Sequence, residues 1–159
     1  MIDILDELFL LLNIFIAIII SGTVGLEREF ARKPAGLRTH MIVGGSVALI
    51  VHLGYSIISY YQNFSEQIQA DPTRVIQAII VGISFIGAGT VLQVKENNMV
   101  RNLTSAASIL LSVGIGIGVA IEKYVLSIGV AVFAILINYL ARVFENKFLN
   151  KKKKYEKNK

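Results

Sequence analysis

Phe9 to Leu26 reads FLLLNIFIAIIISGTVGL, eighteen residues without a formal charge. A helix needs about 20 mostly apolar residues to cross ~30 Å of hydrocarbon, so this stretch has nearly the minimum length for a span. Its leader carries Asp3, Asp6 and Glu7 and no basic side chain. A secretory signal starts with a positive segment, and no Ala-x-Ala-like cleavage site follows. The stretch is therefore expected to be retained as a first span.

Four more windows of the same kind follow. They are Met41 to Tyr61, Val75 to Val94, Leu103 to Ile121 and Tyr124 to Ala141. Tyrosines close the second, where interfacial rings belong, and Asp71-Pro72-Thr73 before the third reads as a helix start. The links are short, so the expected fold class is all-α, a polytopic membrane bundle of five transmembrane helices. Charge placement orients it. With the N-terminus outside, the inner segments Glu27–His40, Lys95–Asn102 and the chain after Ala141 hold 14 of the 16 basic residues. The outer segments keep only Arg74 and Lys123. That positive-inside pattern requires an odd number of spans and a cytoplasmic C-terminus, hence a multi-pass membrane protein. Residues 1–145 form the transmembrane domain and 146–159 a basic cytoplasmic tail.

Composition excludes most soluble classes. Of the 159 residues 54% are apolar and 17% charged, with a mean hydropathy of +0.63. Soluble domains carry about 25% charged residues. The net charge of +5 lies in the last nine residues, KKKKYEKNK, with six lysines against one glutamate. The remainder is balanced, so the excess is an orienting tail attracted to anionic lipid and not a nucleic-acid surface. There is no cysteine, which removes disulfides, Cys-bound zinc, iron–sulfur clusters and thiol catalysis.

Missing motifs narrow the chemistry further. There is no Walker-A loop, no HExxH and no nucleophile–base constellation, so no enzyme, catalytic residue, cofactor or metal site is expected. No carboxylate lies near the middle of a span, where carriers of divalent cations place oxygen ligands. Primary active transport is thus disfavoured, and a carrier built from carbonyls and hydroxyls stays open. His52 could relay protons within the second span or simply bond a neighbouring helix.

Three polar or small-residue blocks remain. The first runs from Ser21 through Gly25-Leu26-Glu27-Arg28-Glu29 to Ala35-Gly36-Leu37-Arg38-Thr39. Ionisable groups at a span end are costly unless paired, and Glu27 with Arg28 or Arg38 is such a pair; local i,i+4 pairs such as Glu29 with Lys33 give a solvated-loop alternative. The second is Gly82-Ile83-Ser84-Phe85-Ile86-Gly87-Ala88-Gly89-Thr90, where small residues allow close helix packing or a ligand's approach to bare backbone. Gly114 and Gly118 form a GxxxG in the fourth span. The third is Val100-Arg101-Asn102-Leu103-Thr104-Ser105-Ala106-Ala107-Ser108, in which an Asn/Thr cap would fix the mouth of the fourth helix. Arg101 would hold an anion or pair with Glu27. Thr39 and Thr104, each expected to cap a helix, sit at matching places in two successive hairpins and hint at a parallel repeat.

Taken in order, these blocks resemble the MgtC/SapB family of bacterial inner-membrane proteins, whose pattern is close to G-x-E-R-x, A-G-L-R-T, G-I-G-F-[IL]-G-A-G and V-R-G-L-[TN]-T-A-A. The match covers about residues 9 to 145. Ser84 and Asn102 stand where the pattern has glycine, and Ser105 stands in place of its second threonine. The resemblance implies a link to growth under magnesium limitation, stress adaptation and, in some pathogens, virulence. It also implies action on a membrane partner, F-type ATP synthase in the best-known member. Longer members carry a soluble ACT-like domain, whose role here would be lost or supplied by another protein. The matched positions Glu27, Arg28, Arg38, Thr39, Arg101, Asn102 and Thr104 are expected to form one inner-face polar cluster, with Gly25, Gly82, Gly87, Gly89, Gly114 and Gly118 as packing glycines.

The leading functional expectation is a non-enzymatic membrane protein, linked to magnesium homeostasis, that modulates a membrane partner. The rival is a small ion or solute transporter or channel, a homo-oligomer such as a dimer among its forms. Its pathway would be lined by Ser84, Thr90, Ser108, Ser112 and His52. The lipid bilayer and such a membrane protein are the expected partners, and no nucleic acid is expected.

Overall fold

The computed structural model describes residues 4–62, 71–92, 102–145 and 147. Five helices follow one another: α1 (Ile4–Phe30), α2 (Leu37–Gln62), α3 (Thr73–Leu92), α4 (Leu103–Ala120) and α5 (Tyr124–Phe144). All five are long and apolar enough to cross a membrane, and the described residues contain no strand. Each expected span falls on one helix. Val94 at the end of the third window, Arg101, and the tail from residue 148 onward lie outside the described residues.

Helix ends follow from local chemistry. α1 closes with Lys33 N–H on the Arg28 carbonyl at 3.0 Å and Arg32 N–H on the Glu29 carbonyl at 2.9 Å. α4 closes the same way, Lys123 on Gly118 at 2.8 Å and Glu122 on Val119 at 2.9 Å. This double bond is the Schellman motif, which needs a left-handed residue after the helix. Arg32 (φ 53°) and Glu122 (φ 61°) occupy that place without being glycine. At the start of α3, Asp71 accepts bonds from the Thr73 amide at 2.9 Å and hydroxyl at 2.7 Å.

The core is a seam between α1, α2 and α4. Each contributes a stripe at three- and four-residue spacing, the period of one helix face. Asn13, Ala17, Ile20, Ser21, Val24 and Arg28 form that of α1, and His40, Val43, Gly44, Val47 and Ala48 that of α2. In α4 it runs Ser105, Ser108, Ile109, Ser112, Val113, Gly116 and Val119. Half of the α4 span is buried, against 6% of α3 and 11% of α5. Large apolar side chains cover the outside, including Phe15, Phe85 and Phe133, as expected where the solvent is lipid.

Glycines set the depth of the seam. A Cβ on Gly116 would stand 2.6 Å from the Gly44 carbonyl oxygen, and one on Gly44 would stand 2.0 Å from Ser21 Oγ. The three backbones therefore approach closely at one level, as small residues allow in lipid. Expected packing roles are corrected in part. Gly25 and Gly118 are tight, Gly87 has ordinary contact with Ala106, and Gly82, Gly89 and Gly114 have nothing within 4 Å. The last three border open space, Gly82 in the wide groove between α2 and α3, a distinction that residue type alone does not carry.

Candidate functional site

The polar groups concentrate where α1 ends and α2 and α4 begin. Gly25 makes the junction: a Cβ there would lie 2.8 Å from both His40 Cβ and Leu37 Cα and 2.9 Å from the Gly36 carbonyl. The Arg32 turn brings the chain back, and Glu29 Oε2 accepts the Leu37 amide at 2.7 Å. An acceptor at a helix start satisfies one of its orphan donors, so Glu29 caps α2 from the preceding helix. Gly36 is held bare because a Cβ would meet that carboxylate at 2.5 Å.

Successive residues on a helix diverge by about 100°, and that angle separates Glu27 from Arg28. Glu27 turns to α5, where Asn138 Nδ2 donates to Oε2 at 3.0 Å and Arg142 forms an ion pair with Oε1. Arg28 turns to α4 and is 3% exposed; its Nη2 donates to Ser105 Oγ at 2.9 Å. The expected pairing of Glu27 with Arg28 or Arg38 is thus replaced by Glu27 with Arg142.

His40 completes the network. It is fully buried, with Nδ1 2.7 Å from the Gly36 carbonyl and Nε2 3.2 Å from Ser108 Oγ. A carbonyl only accepts, so Nδ1 carries the proton. That Nε2 and the Ser105 carbonyl, 2.8 Å from Ser108 Oγ, are both acceptors and share the single Ser108 hydroxyl proton, and Ser112 Oγ lies 3.4 Å from the Ser108 carbonyl. Arg28, Ser105, Ser108, His40 and Gly36 therefore form one polar chain that ties the α1 end to the starts of α2 and α4.

The expected cluster is gathered only in part. Glu27 and Arg28 belong to it. Arg38 and Thr104 are exposed and Thr39 is half-buried, and none of the three makes a side-chain hydrogen bond among the described residues. Neither threonine caps its helix. Thr39 is the third residue of α2 and Thr104 the second of α4, whose cap position is Asn102 at φ 67° with no side-chain cap bond. Left-handed backbone suits glycine and asparagine, which accounts for Asn102 where the family pattern has glycine. Arg101 lies outside the described residues.

The hydroxyls of the transporter reading do not converge. Ser84 is exposed, bonds the Ile80 carbonyl of its own helix at 2.7 Å and faces a groove beside Ala106 and Leu110. Thr90 bonds the Gly87 carbonyl at 2.7 Å, whereas Ser108 and Ser112 are buried in the seam. His52 lines a separate groove at the opposite end with Asp6, Tyr55, Ser56 and Glu122. No group of three His, Asp or Glu placed to hold a metal ion occurs among the described residues.

His40 and Arg142 were not anticipated as site residues. A signal existed for His40, which stands four residues before Gly44 at the head of the buried α2 stripe. Arg142 lies in the last turn of α5, and its partner is 115 positions away, a separation at which local spacing carries no information.

The MgtC family model matches residues 14–147. The chain belongs to the MgtC family. Among its relatives, SapB of Bacillus subtilis is 34% identical over 72% of this chain and 49% of that protein. MgtC of Brucella abortus is 34% identical over 79% and 48%. An Escherichia coli K12 protein named "Putative magnesium transporter YhiD" is 32% identical over 89% of this chain and 64% of its own length. The chain thus spans about half to two thirds of the relatives it matches. No solved structure matches it. Membership of this family, with five helices long and apolar enough to cross a membrane, makes it a multi-pass membrane protein.

Proposed function

We propose that this MgtC-family protein is a non-enzymatic regulator in the bacterial cell membrane that supports growth under magnesium limitation by modulating a membrane partner, with F-type ATP synthase the first partner to test. The observation that carries this reading is the buried polar chain from Arg28 to His40. Its hydrogen bonds hold three helices in register at one end, leaving Arg38 and Thr104 exposed beside it. Such an end is a rigid platform whose free charge can meet another protein. The positive-inside pattern supports a cytoplasmic position for it.

The test uses a strain lacking its own family member. Wild-type protein is expected to restore growth in low magnesium, whereas Arg38→Ala inserts and accumulates normally yet fails to restore it. Crosslinking from the α1–α2 loop in native membranes should capture ATP synthase subunits with the wild type and lose them with Arg38→Ala. Full rescue by Arg38→Ala would reject the platform.

A second reading, transport, is favoured by the name of the Escherichia coli relative. Substrate-dependent flux into proteoliposomes containing only this protein would establish it and displace the regulator.

A further inference from the structure

Arg28 is a buried cation whose local charge is not balanced. A guanidinium has five N–H donors, and among the described residues this one makes a single side-chain hydrogen bond, to Ser105. Its Nε is buried without a partner among the described residues. The neighbouring carboxylate, Glu27, is turned away and held by Asn138 and Arg142. An enclosed charge is costly unless paired and hydrogen-bonded.

The environment adds positive potential. Ser105 is the third residue of α4, so the guanidinium lies against that helix's first turn. Its cap residue, Asn102, contributes no side-chain bond. The Ser105 and Ala106 amides turn to the Asn102 carbonyl at 3.0 and 3.1 Å, and among the described residues the Leu103 and Thr104 amides are the orphan donors of the helix start. A helix N-terminus carries about half a positive charge. Here it stands beside an arginine that would oppose it.

We propose that Arg28 and the first turn of α4 form a binding site for a phosphate oxyanion. The planar fork of arginine matches two phosphate oxygens, and the free amides of a helix start take a third. The same end carries exposed Leu26, Phe30 and Leu103, which places the site at the level where acyl chains meet headgroups. The oxyanion is therefore either the phosphate of an anionic lipid or free phosphate. This names the ligand of the platform proposed above, and its test is in vitro, so the growth phenotype and the binding can fail separately.

The experiment uses the full chain in a non-ionic detergent. One arm follows thermal unfolding during titration with inorganic phosphate against chloride at constant ionic strength. The other uses native mass spectrometry after exchange into nanodiscs of phosphatidylcholine with phosphatidylglycerol. Saturable stabilisation by phosphate identifies the free ion; selective retention of phosphatidylglycerol identifies the lipid. Either affinity is expected to fall about tenfold or more in Arg28→Gln, which loses the fork. Asn102→Asp is the companion variant, because aspartate accepts left-handed backbone and caps helices, keeping the fold while placing a competing carboxylate at the site. It should weaken binding comparably. Absence of saturable binding in both arms, or unchanged affinity in Asn102→Asp, would overturn the proposal.

Discussion

α3 and α4 carry similar small-residue runs, Gly82-Ile83-Ser84-Phe85-Ile86-Gly87-Ala88-Gly89 against Gly114-Ile115-Gly116-Ile117-Gly118, and use them in opposite ways. In α4, Gly116 lies under the Gly44 carbonyl and Gly118 under Ser127 Oγ, so bare backbone is what lets the helices meet. In α3, Gly82 and Gly89 face open space and Phe85 is 78% exposed. Glycine permits close approach without requiring it. What decides is whether a neighbouring stripe arrives at the same level, and in α4 the stripes of α1 and α2 both do.

The largest expected effect separates two glycines two residues apart. Gly116→Ala would press a methyl group against the backbone of α2, which cannot give way as a side-chain tip can. Overpacking of this kind costs about 1–3 kcal/mol. Gly114→Ala, with no atom within 4 Å, should cost nothing and gain up to about 0.5–1 kcal/mol, since glycine weakens a helix interior relative to alanine. Reversible unfolding in bicelles by steric trapping measures both. Equal losses would mean that α4 does not pack by its Gly116 face.

The two histidines of α2 offer the next contrast. His40 has both ring nitrogens engaged, whereas His52 Nε2 has no partner among the described residues. His40→Ala removes two bonds and opens a cavity beside Ser108. With about 0.6 kcal/mol per polar contact in a bilayer and a cavity term added, a loss of about 2 kcal/mol is expected. His52→Ala should stay below about 1 kcal/mol. The same unfolding assay ranks them, and the reverse order would make His52 the structural histidine.

Much of this was legible in the sequence, because apolar runs of membrane length and the sidedness of basic residues act over single segments. The five helices followed from that, as did the start of α3 at Asp71. The polar chain was only half visible. Glu27 and Arg28 are conspicuous as charges at a span end, but adjacent residues diverge around a helix, and only the tertiary arrangement determines that they part. The pairing of Glu27 with Arg142 joins α1 to α5 and has no local signature. His40 looked like a loop residue, since the span was drawn from Met41, yet α2 begins at Leu37 and carries it into the core.

Smaller gains are expected at the two Schellman turns. Arg32 and Glu122 hold left-handed backbone that costs a non-glycine residue about 1 kcal/mol. Arg32→Gly and Glu122→Gly should each raise stability by about 0.5–1 kcal/mol, less whatever glycine adds to the entropy of the unfolded chain. The comparison sharpens if both gain equally, because the two turns then differ only in the polar groups around them. A loss at Arg32 alone would show that its side chain serves the Arg28 end in another way.

The smallest effect lies at the start of α3, the helix whose span is least buried. Asp71 sits outside the spans, and the Thr73 hydroxyl and amide that donate to its carboxylate lower its pKa from the ordinary value, with Arg74 adding in the same direction. These bonds favour the ionised form in the folded state. The contribution is therefore complete above the unfolded carboxyl range, near 3.9, and is lost as pH falls through the lower folded value. The Thr73 amide resonance should accordingly titrate with a midpoint below 3.9. Asp71→Asn should abolish that titration while keeping the turn, since the asparagine oxygen can accept the same amide. A midpoint at or above the ordinary value would mean that the cap does not form. The start of α3 would then be set by the hydrophobic run alone.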